Sequence, residues 1–215
     1  MTCMRILGVC LGALFGVGVM TSSASAALPE FGPPAGAFTI TSKAATFETV
    51  GKVKVKCVAD TGKGEITGPK SVSIKIVFTG CTTSAIAGVK CQTPGSAPGE
   101  ISTFGLIGEL GYIELEPLKE VGLALSDPAA GIVTEFTCGP TVEILTGSVI
   151  AKVTPLNKPS KTITLKFVQK KGLQVPFNLF GEPPPPDILM NTHPEPVGLA
   201  SGEPMKFAAP IVVIA

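Results

Sequence analysis

The residues that usually dominate binding surfaces are scarce in this chain. Among 215 residues there is no tryptophan, one tyrosine and one histidine, and Arg5 is the only arginine. Trp, Tyr and Arg carry much of the binding energy of compact protein interfaces. Their scarcity argues against a sugar platform built from indole rings and against high affinity through a small aromatic patch.

The chain also lacks an excess of positive or negative charge. Once Arg5 is removed with the signal peptide proposed below, 16 lysines face 16 acidic residues, and the formal net charge is zero. Nucleic-acid binding rests on neutralising phosphates with an excess of basic residues. Nucleic acid is therefore not an expected partner.

Patterns of catalytic and metal-binding residues are lacking too. A histidine-based nucleophilic site would have to use His193, which lies in a proline-rich stretch and is expected to be a solvated loop residue. No G-x-S-x-G elbow, no C-x-x-C pair and no D-x-D-x-D run occurs. The sequence therefore predicts neither an enzyme nor a metal or cofactor site.

The first 26 residues have the three-part pattern of a secretory signal peptide. A short start with one positive charge is followed by the apolar run 6–20, and Ala24-Ser25-Ala26 fits the small-residue cleavage pattern. The mature chain is expected to begin at Ala27 or Leu28 and to be secreted or held at the cell surface. No later apolar run is long enough for a membrane span.

The rest of the chain alternates between apolar and polar residues with a period of two. Val53, Val55 and Cys57 share one parity, and lysines occupy the other. The same alternation recurs in 71–79, 132–138 and 162–167. Such patterns are typical of half-buried antiparallel strands. We therefore predict a single all-β domain, 27–215, built as an antiparallel β-sandwich or a barrel-like sheet.

Several interruptions in the alternation are predicted as turns or loops. Asp60–Gly64 carries two glycines, and another turn falls near Gly147. A proline-rich crossover is expected at about 181–196. The chain then ends in a predicted strand, Met205–Ala215, whose residues 211–214 should pair within the same chain with two of the four in the core.

Four cysteines remain after the signal peptide is removed, and an even number in an exported chain indicates disulfides. Cys57 and Cys138 lie on apolar parities of regular strands, and Cys81 and Cys91 flank one loop. The economical pairing is Cys57–Cys138 with Cys81–Cys91. Two other connectivities remain open at this point.

One strand face carries paired carboxylates. Tyr112, Glu114 and Glu116 have the same parity in an apolar segment, and two carboxylates a few ångströms apart are what glycoside hydrolysis requires. This face is the candidate ligand surface, although a solvated strand face has the same pattern.

The motifs T-G-K-G-E-I-T-G-P-K, V-F-T-G-C, G-V-K-C and L-I-G-E-L-G-Y-I lie in the first half of the mature chain. In these motifs the sequence resembles a group of uncharacterised secreted proteins of actinobacteria. The resemblance implies export and an all-β fold, and it supplies no functional residues.

Two functions from different classes follow. The first is a secreted, disulfide-stabilised β-protein with a structural or adhesive role at the cell envelope, whose partners would be other envelope proteins or glycans. The alternative is an extracellular glycan-binding or glycan-active protein that uses the Glu114/Glu116 face. A surface studded with lysines and threonines would favour the first, and a cleft lined by Tyr112 and converging carboxylates the second.

Overall fold

A computed structural model describes residues 29–33, 36–176, 178–179 and 188–215. The predicted signal peptide, 1–26, lies outside these residues. The described chain is all-β and antiparallel, as predicted, and contains no helix. It therefore also has no helix with the length and apolar character needed to cross a membrane. The strands are β1 (Glu30–Phe31), β2 (Ala37–Ser42), β3 (Ala45–Thr49), β4 (Lys54–Cys57), β5 (Ala59–Ile66), β6 (Ser71–Thr79), β7 (Thr82–Thr83), β8 (Cys91–Gln92), β9 (Ile101–Ser102), β10 (Leu106–Glu114), β11 (Glu120–Ser126), β12 (Ile132–Cys138), β13 (Thr141–Thr154), β14 (Ser160–Lys170), β15 (Leu173–Val175), β16 (Leu189–Met190), β17 (Pro196–Ile211) and β18 (Val213–Ile214).

Eight strands form a closed, barrel-like sheet that we call the large ring. Their order is β14-β13-β11-β10-β6-β5-β2-β17, and pairing of β17 with β14 closes it. Alternate residues of each strand point inward, as the period of two predicts: Val72, Ile74, Ile76 and Phe78 of β6 are all buried. The barrel-like form of the two predicted architectures is therefore the one observed.

A second set of strands, the small ring, continues from one end of the large ring. Its order is β8-β12-β13-β16-β17-β3-β4-β7. The two end strands meet through an isolated bridge between Thr82 and Lys90 and through a hydrogen bond from Cys91 N to Cys81 O, 3.0 Å long. We call this junction the seam. One hydrophobic cluster runs through the interiors of both rings.

Two long strands, β13 and β17, belong to both rings. The first half of β13 pairs with β12 and β16, and its second half pairs with β11 and β14. Gly147 lies between the halves with φ +99°, and a Cβ there would lie 2.2 Å from the Ile188 carbonyl oxygen. Gly147 therefore bends a continuous strand where the sequence predicted a turn, because only glycine combines this φ with such a close approach.

The predicted turn at Asp60–Gly64 is wrong in the same way. These residues lie inside β5, which pairs along its whole length with β6 and, over six residues, with β2. A Cβ on Gly64 would lie 2.1 Å from the Ser73 carbonyl oxygen and 2.5 Å from the Phe38 ring. Glycine marks a close approach between strands here rather than a reversal of the chain.

The economical disulfide pairing is also wrong. The observed bridges are Cys57–Cys81 and Cys91–Cys138. Because β4 pairs with β7, Cys57 comes next to Cys81. Cys91 and Cys138 are direct partners on β8 and β12. Both bridges join neighbouring strands beside the seam, whereas the sequence argument assumed one bridge between two packed sheets and one loop clip.

The prediction for the C-terminal residues is confirmed in its essential point. Ile211 pairs with Ser160 of β14, and Val213 and Ile214 pair with Phe31 and Glu30. Ile211 and Val213 are the two buried members of 211–214. Two features differ from the prediction: the strand begins at Pro196, and its last pairs are made with the N-terminal lead-in.

Of the predicted proline-rich crossover, 181–187 lies outside the described residues. From residue 188 onward the chain forms β16, a turn and the start of β17. Leu189 is buried and pairs with both β13 and β17, so this part is a short hairpin within the small ring.

Candidate functional site

The small ring contains a cavity of about 80 Å³ near its outer end. Strands β3, β4, β12, β13 and β17 form its walls, together with the loop 84–89 and the turn 191–195. Most of the lining is apolar, and Glu143 is the one charged group among the described residues that line it. The lining residues are Phe47, Thr49, Val53, Val55, Thr83, Ala85, Ile86, Phe136, Cys138, Thr141, Glu143, Leu145, Asn191 and Val197.

The alternation of β13 places the carboxyl group in this apolar surrounding. Thr141, Glu143 and Leu145 share a parity and line the cavity, whereas Val142 points outward and is 45% exposed. Glu143 Oε1 lies 3.9 Å from His193 Nδ1. Its Oε2 is buried and has no hydrogen-bond partner among the described residues. One carboxylate oxygen is therefore free to bind a hydrogen-bond donor that enters the cavity.

Burial raises the pKa of Glu143 above its usual value. The imidazole of His193 and the Thr192 backbone N–H oppose this rise, and the negative charge of Glu195 adds to it. The group bound beside a carboxyl group with a raised pKa helps to decide whether that carboxyl group is neutral or charged. An amine bound beside Oε2 would favour the charged form, and a neutral donor could be met by either form.

Hydrogen bonds hold the turn 191–195 in place beside the cavity. Asn191 Oδ1 accepts hydrogen bonds from the backbone N–H groups of His193 and Glu195, each 3.0 Å long. Thr192 Oγ1 accepts one from Ile144 N over 2.8 Å. The Glu195 carboxylate accepts a hydrogen bond from Gly51 N. This wall of the cavity is therefore preorganised, which lowers the entropic cost of binding.

The entrance of the cavity is apolar as well. Val53 and Ile86 line it and remain 41% and 44% exposed. Cys138 contributes from the opposite wall, so the Cys91–Cys138 bridge is part of the cavity lining. Exposed apolar groups that surround an apolar recess are typical of a surface that binds another molecule.

The residues predicted from sequence as a ligand face lie elsewhere. Glu114 ends β10 and pairs with Glu120 across a register shift, whereas Glu116 falls in the following turn, so the two do not alternate on one strand. Lys119 Nζ lies 5.4 Å from the centre of the Tyr112 ring, and the Tyr112 hydroxyl is buried. None of the three lines the cavity of the small ring.

A second constellation, which the sequence did not reveal, lies in the core of the large ring. Asp60 on β5 and Glu203 on β17 are fully buried, and no other described residue hydrogen-bonds to their carboxyl oxygens. Burial raises the pKa of Asp60, and burial together with neighbouring Asp60 raises the pKa of Glu203 to about 9. Two carboxyl groups so placed share a proton at neutral pH.

No signal in the sequence could have joined these two acids, because 143 residues separate them and Asp60 lies in a segment predicted as a turn. Glu143 was equally hidden, since an acidic residue in an alternating strand usually faces solvent. Among the described residues there is no group of three His, Cys, Asp or Glu side chains that could hold a metal ion.

Comparisons with known proteins give no functional guide. No protein-family model, no curated protein and no solved structure matches the chain.

Proposed function

We propose that this is an exported β-protein of the envelope or extracellular space that binds a short apolar group carrying a hydrogen-bond donor. The binding site is the cavity of the small ring. The observation that carries the proposal is the buried, unpartnered Oε2 of Glu143 inside an otherwise apolar recess. A buried carboxylate oxygen without a partner costs free energy that a bound donor recovers.

The size of the cavity limits the apolar group. Its 80 Å³ is little more than half of the roughly 150 Å³ cavity known to take benzene in another protein. A short branched alkyl group fits this space, and a larger ligand would extend past Val53 and Ile86. Burying a few methylene groups contributes about 3 kcal/mol, so small isolated probes should bind in the millimolar range.

A structural or adhesive role is compatible with such a site. Attachment to another envelope component needs a fixed recess that accepts one anchoring group, and two disulfides beside the seam keep this recess in shape. Disulfides persist in oxidising compartments, which supports an extracytoplasmic location. Glycan binding at Tyr112, Glu114 and Glu116 is not proposed as a second function, because no contact at these residues favours it.

The binding test uses three probes with one alkyl chain: isobutylamine, isobutanol and isobutyrate. Methyl NMR shifts of Val55, Leu145 and Val197 report on the cavity. We expect the amine and the alcohol to shift these signals at millimolar concentration and the carboxylate to have little effect, because it would face Glu143. The amine should bind more tightly than the alcohol, because its charge pairs with the Glu143 carboxylate, and Glu143→Gln should remove this difference.

Matched variants locate the site. Ala85→Phe places a ring in the cavity and should abolish binding, whereas Ala87→Phe lies in the same exposed loop outside the lining and should not. Equal binding by both variants would disprove the assignment of the cavity.

Export is tested separately by the intact mass of secreted protein, which should begin at Ala27 or Leu28.

A further inference from the structure

The outer face of the large ring brings together three lysines that are far apart in sequence. Lys75 of β6 is the direct partner of Lys63 on β5, Lys63 is the partner of Thr39 on β2, and Thr39 is the partner of Lys206 on β17. The three lysines and Thr39 are exposed. They form one row across four strands, which we call the lysine row.

The lysine row lies along a groove. An open recess of about 550 Å³ is formed on this side of the large ring by β2, β5, β6 and the start of β10. Lys63, Lys75, Thr39 and Ser73 line it, and Gly105 leaves backbone uncovered by side chains. The groove therefore combines two ammonium groups with two hydroxyl donors over an accessible backbone surface.

The charge of this face is not balanced within the molecule. Lys54 and Lys152 each form an ion pair with a glutamate, but no such pair within 4.0 Å involves the three row lysines among the described residues. Glu65 is the one acidic residue that lines the groove. Like charges directly opposite each other on neighbouring strands destabilise a sheet. A bound anion would therefore relieve the repulsion between Lys63 and Lys75.

The residue types indicate which anion fits. The two-pronged guanidinium of arginine suits carboxylate and phosphate alike, and the mature chain would contain no arginine, so lysine is the basic residue that an anion would meet. Lysine binds phosphate as a point charge, and converging hydroxyl groups can donate to the remaining phosphate oxygens. Lys206 lies two strands from Lys63, or about 10 Å at the usual strand spacing. Lys206 can therefore meet a phosphate several units further along a phosphate chain, because neighbouring phosphates lie much closer together than this distance.

We propose that the lysine row binds a phosphate-bearing chain that lies in the groove. One phosphate is held between Lys63 and Lys75 with Thr39 and Ser73 as hydroxyl donors, and Lys206 meets another phosphate several units further along the chain. This site is independent of the cavity of the small ring, so either proposal can fail without the other.

Short-chain polyphosphate is the probe, with polyglutamate of matched charge as the carboxylate comparison. Calorimetry on the full disulfide-bonded protein at low salt should show binding of polyphosphate that weakens as salt is added. We expect Lys63→Gln/Lys75→Gln to bind polyphosphate at least tenfold more weakly. The control Lys90→Gln/Lys158→Gln removes the same charge from exposed positions off the row and should bind within twofold of the parent.

Three results would overturn the proposal: no binding of polyphosphate by the parent protein, an equal loss in both double variants, or polyglutamate binding as tightly as polyphosphate. Circular dichroism checks that the double variants fold. Lys206→Gln gives a second readout, because it should weaken binding of polyphosphate while leaving binding of single inorganic phosphate unchanged. Equal effects of Lys206→Gln on both ligands would contradict the two-phosphate arrangement.

Discussion

At the scale of single residues, the most consequential pair is Asp60 and Glu203. Both carboxyl groups are fully buried in the large ring, and among the described residues the other acid is the only charged group that affects the pKa of each. The Ser42 hydroxyl nearby is already used, because it donates to Gly202 O over 2.7 Å. The core therefore tolerates this pair only while it retains a proton.

This arrangement predicts that stability falls as pH rises. The folded-state pKa of Glu203 is about 9 against an ordinary value of 4.5, so the folded protein binds the proton more tightly than the unfolded chain does. The stabilising contribution is complete below pH 4.5 and is lost progressively as pH rises towards 9. Up to about 1.4 kcal/mol per pH unit should be lost in this window.

Glu203→Gln tests this prediction. The amide keeps the shape and removes the titration, so unfolding by urea should depend less on pH between 5 and 8.5, and the variant should be the more stable protein at pH 8.5. Glu109→Gln, on the exposed outer face of β10, is the control and should leave the pH dependence of the parent. An unchanged slope in Glu203→Gln would show that the pair does not hold the proton.

At the scale of elements, the seam is held by few hydrogen bonds, and a disulfide anchors each of its two end strands. β7 and β8 are two-residue strands, and between them lie one isolated bridge and a few backbone hydrogen bonds. The two disulfides flank this junction. Each disulfide ties one end strand to its inner neighbour on its own side of the seam, and the Cys91–Cys138 bridge holds the cavity wall that contains Cys138.

The cysteine pairing and its energetics can be measured directly. Trypsin should place the four cysteines in four different peptides, 57–63, 76–90, 91–119 and 120–152, so non-reducing mapping should recover Cys57 linked to Cys81 and Cys91 linked to Cys138. Loops of 24 and 47 residues correspond to about 3.4 and 4 kcal/mol in the chain-entropy picture. Cys91→Ala/Cys138→Ala should thus cost slightly more stability than Cys57→Ala/Cys81→Ala. Recovery of a Cys57–Cys138 peptide would contradict the structure.

The two ends of the described chain also form one element. Phe31 of β1 and Val213 of β18 are direct partners and are 6% and 0% exposed. Phe31→Ala should cost about 3–5 kcal/mol of stability in the full chain. In a chain lacking 212–215 the same change should cost much less, because Phe31 has already lost its partner.

Phe104→Ala is the control for this pair of changes, because Phe104 is 46% exposed and lies away from the paired chain ends. Phe104→Ala should lower the free energy of unfolding only slightly, and by the same amount in the full chain and in the chain lacking 212–215. Additive losses for Phe31→Ala and the truncation would mean that the two ends do not stabilise each other.

At the scale of the whole molecule, β13 and β17 connect the stability of the two rings. Each strand is hydrogen-bonded into both rings, and the apolar core is continuous between them. Local unfolding of one ring would therefore break pairs in the other. The described structure is expected to unfold in one cooperative transition as long as the disulfides are intact.

Hydrogen exchange followed by mass spectrometry tests this coupling. Peptides from β5–β6 of the large ring and from β3–β4 of the small ring should exchange with the same opening free energy. Reduction of the disulfides should lower the opening free energy of the small ring first, because both bridges lie in that ring and anchor its end strands. Different opening free energies in the oxidised protein would show that the rings are separate cooperative units.

The sequence by itself determined the all-β class and the inward and outward sides of most strands. A strand with a period of two exposes one face to water and buries the other, and this choice depends only on neighbours along the chain. Val72 to Phe78 and Ile163 to Phe167 show the pattern directly. The pairing of 211–214 within the chain followed from the same reasoning, because an apolar strand without a partner is unstable in water.

Only the tertiary structure decided the partners. Which cysteines meet, whether Gly64 and Gly147 turn the chain or let strands approach, and whether Glu143, Asp60 and Glu203 face water or core all depend on strand order. Strand order is set by the pairing of segments up to 184 residues apart, as for Glu30 and Ile214. The alternation of apolar and polar residues carries no information about which distant strands pair. The residues of the candidate site are therefore brought together only by the strand pairing of the folded chain.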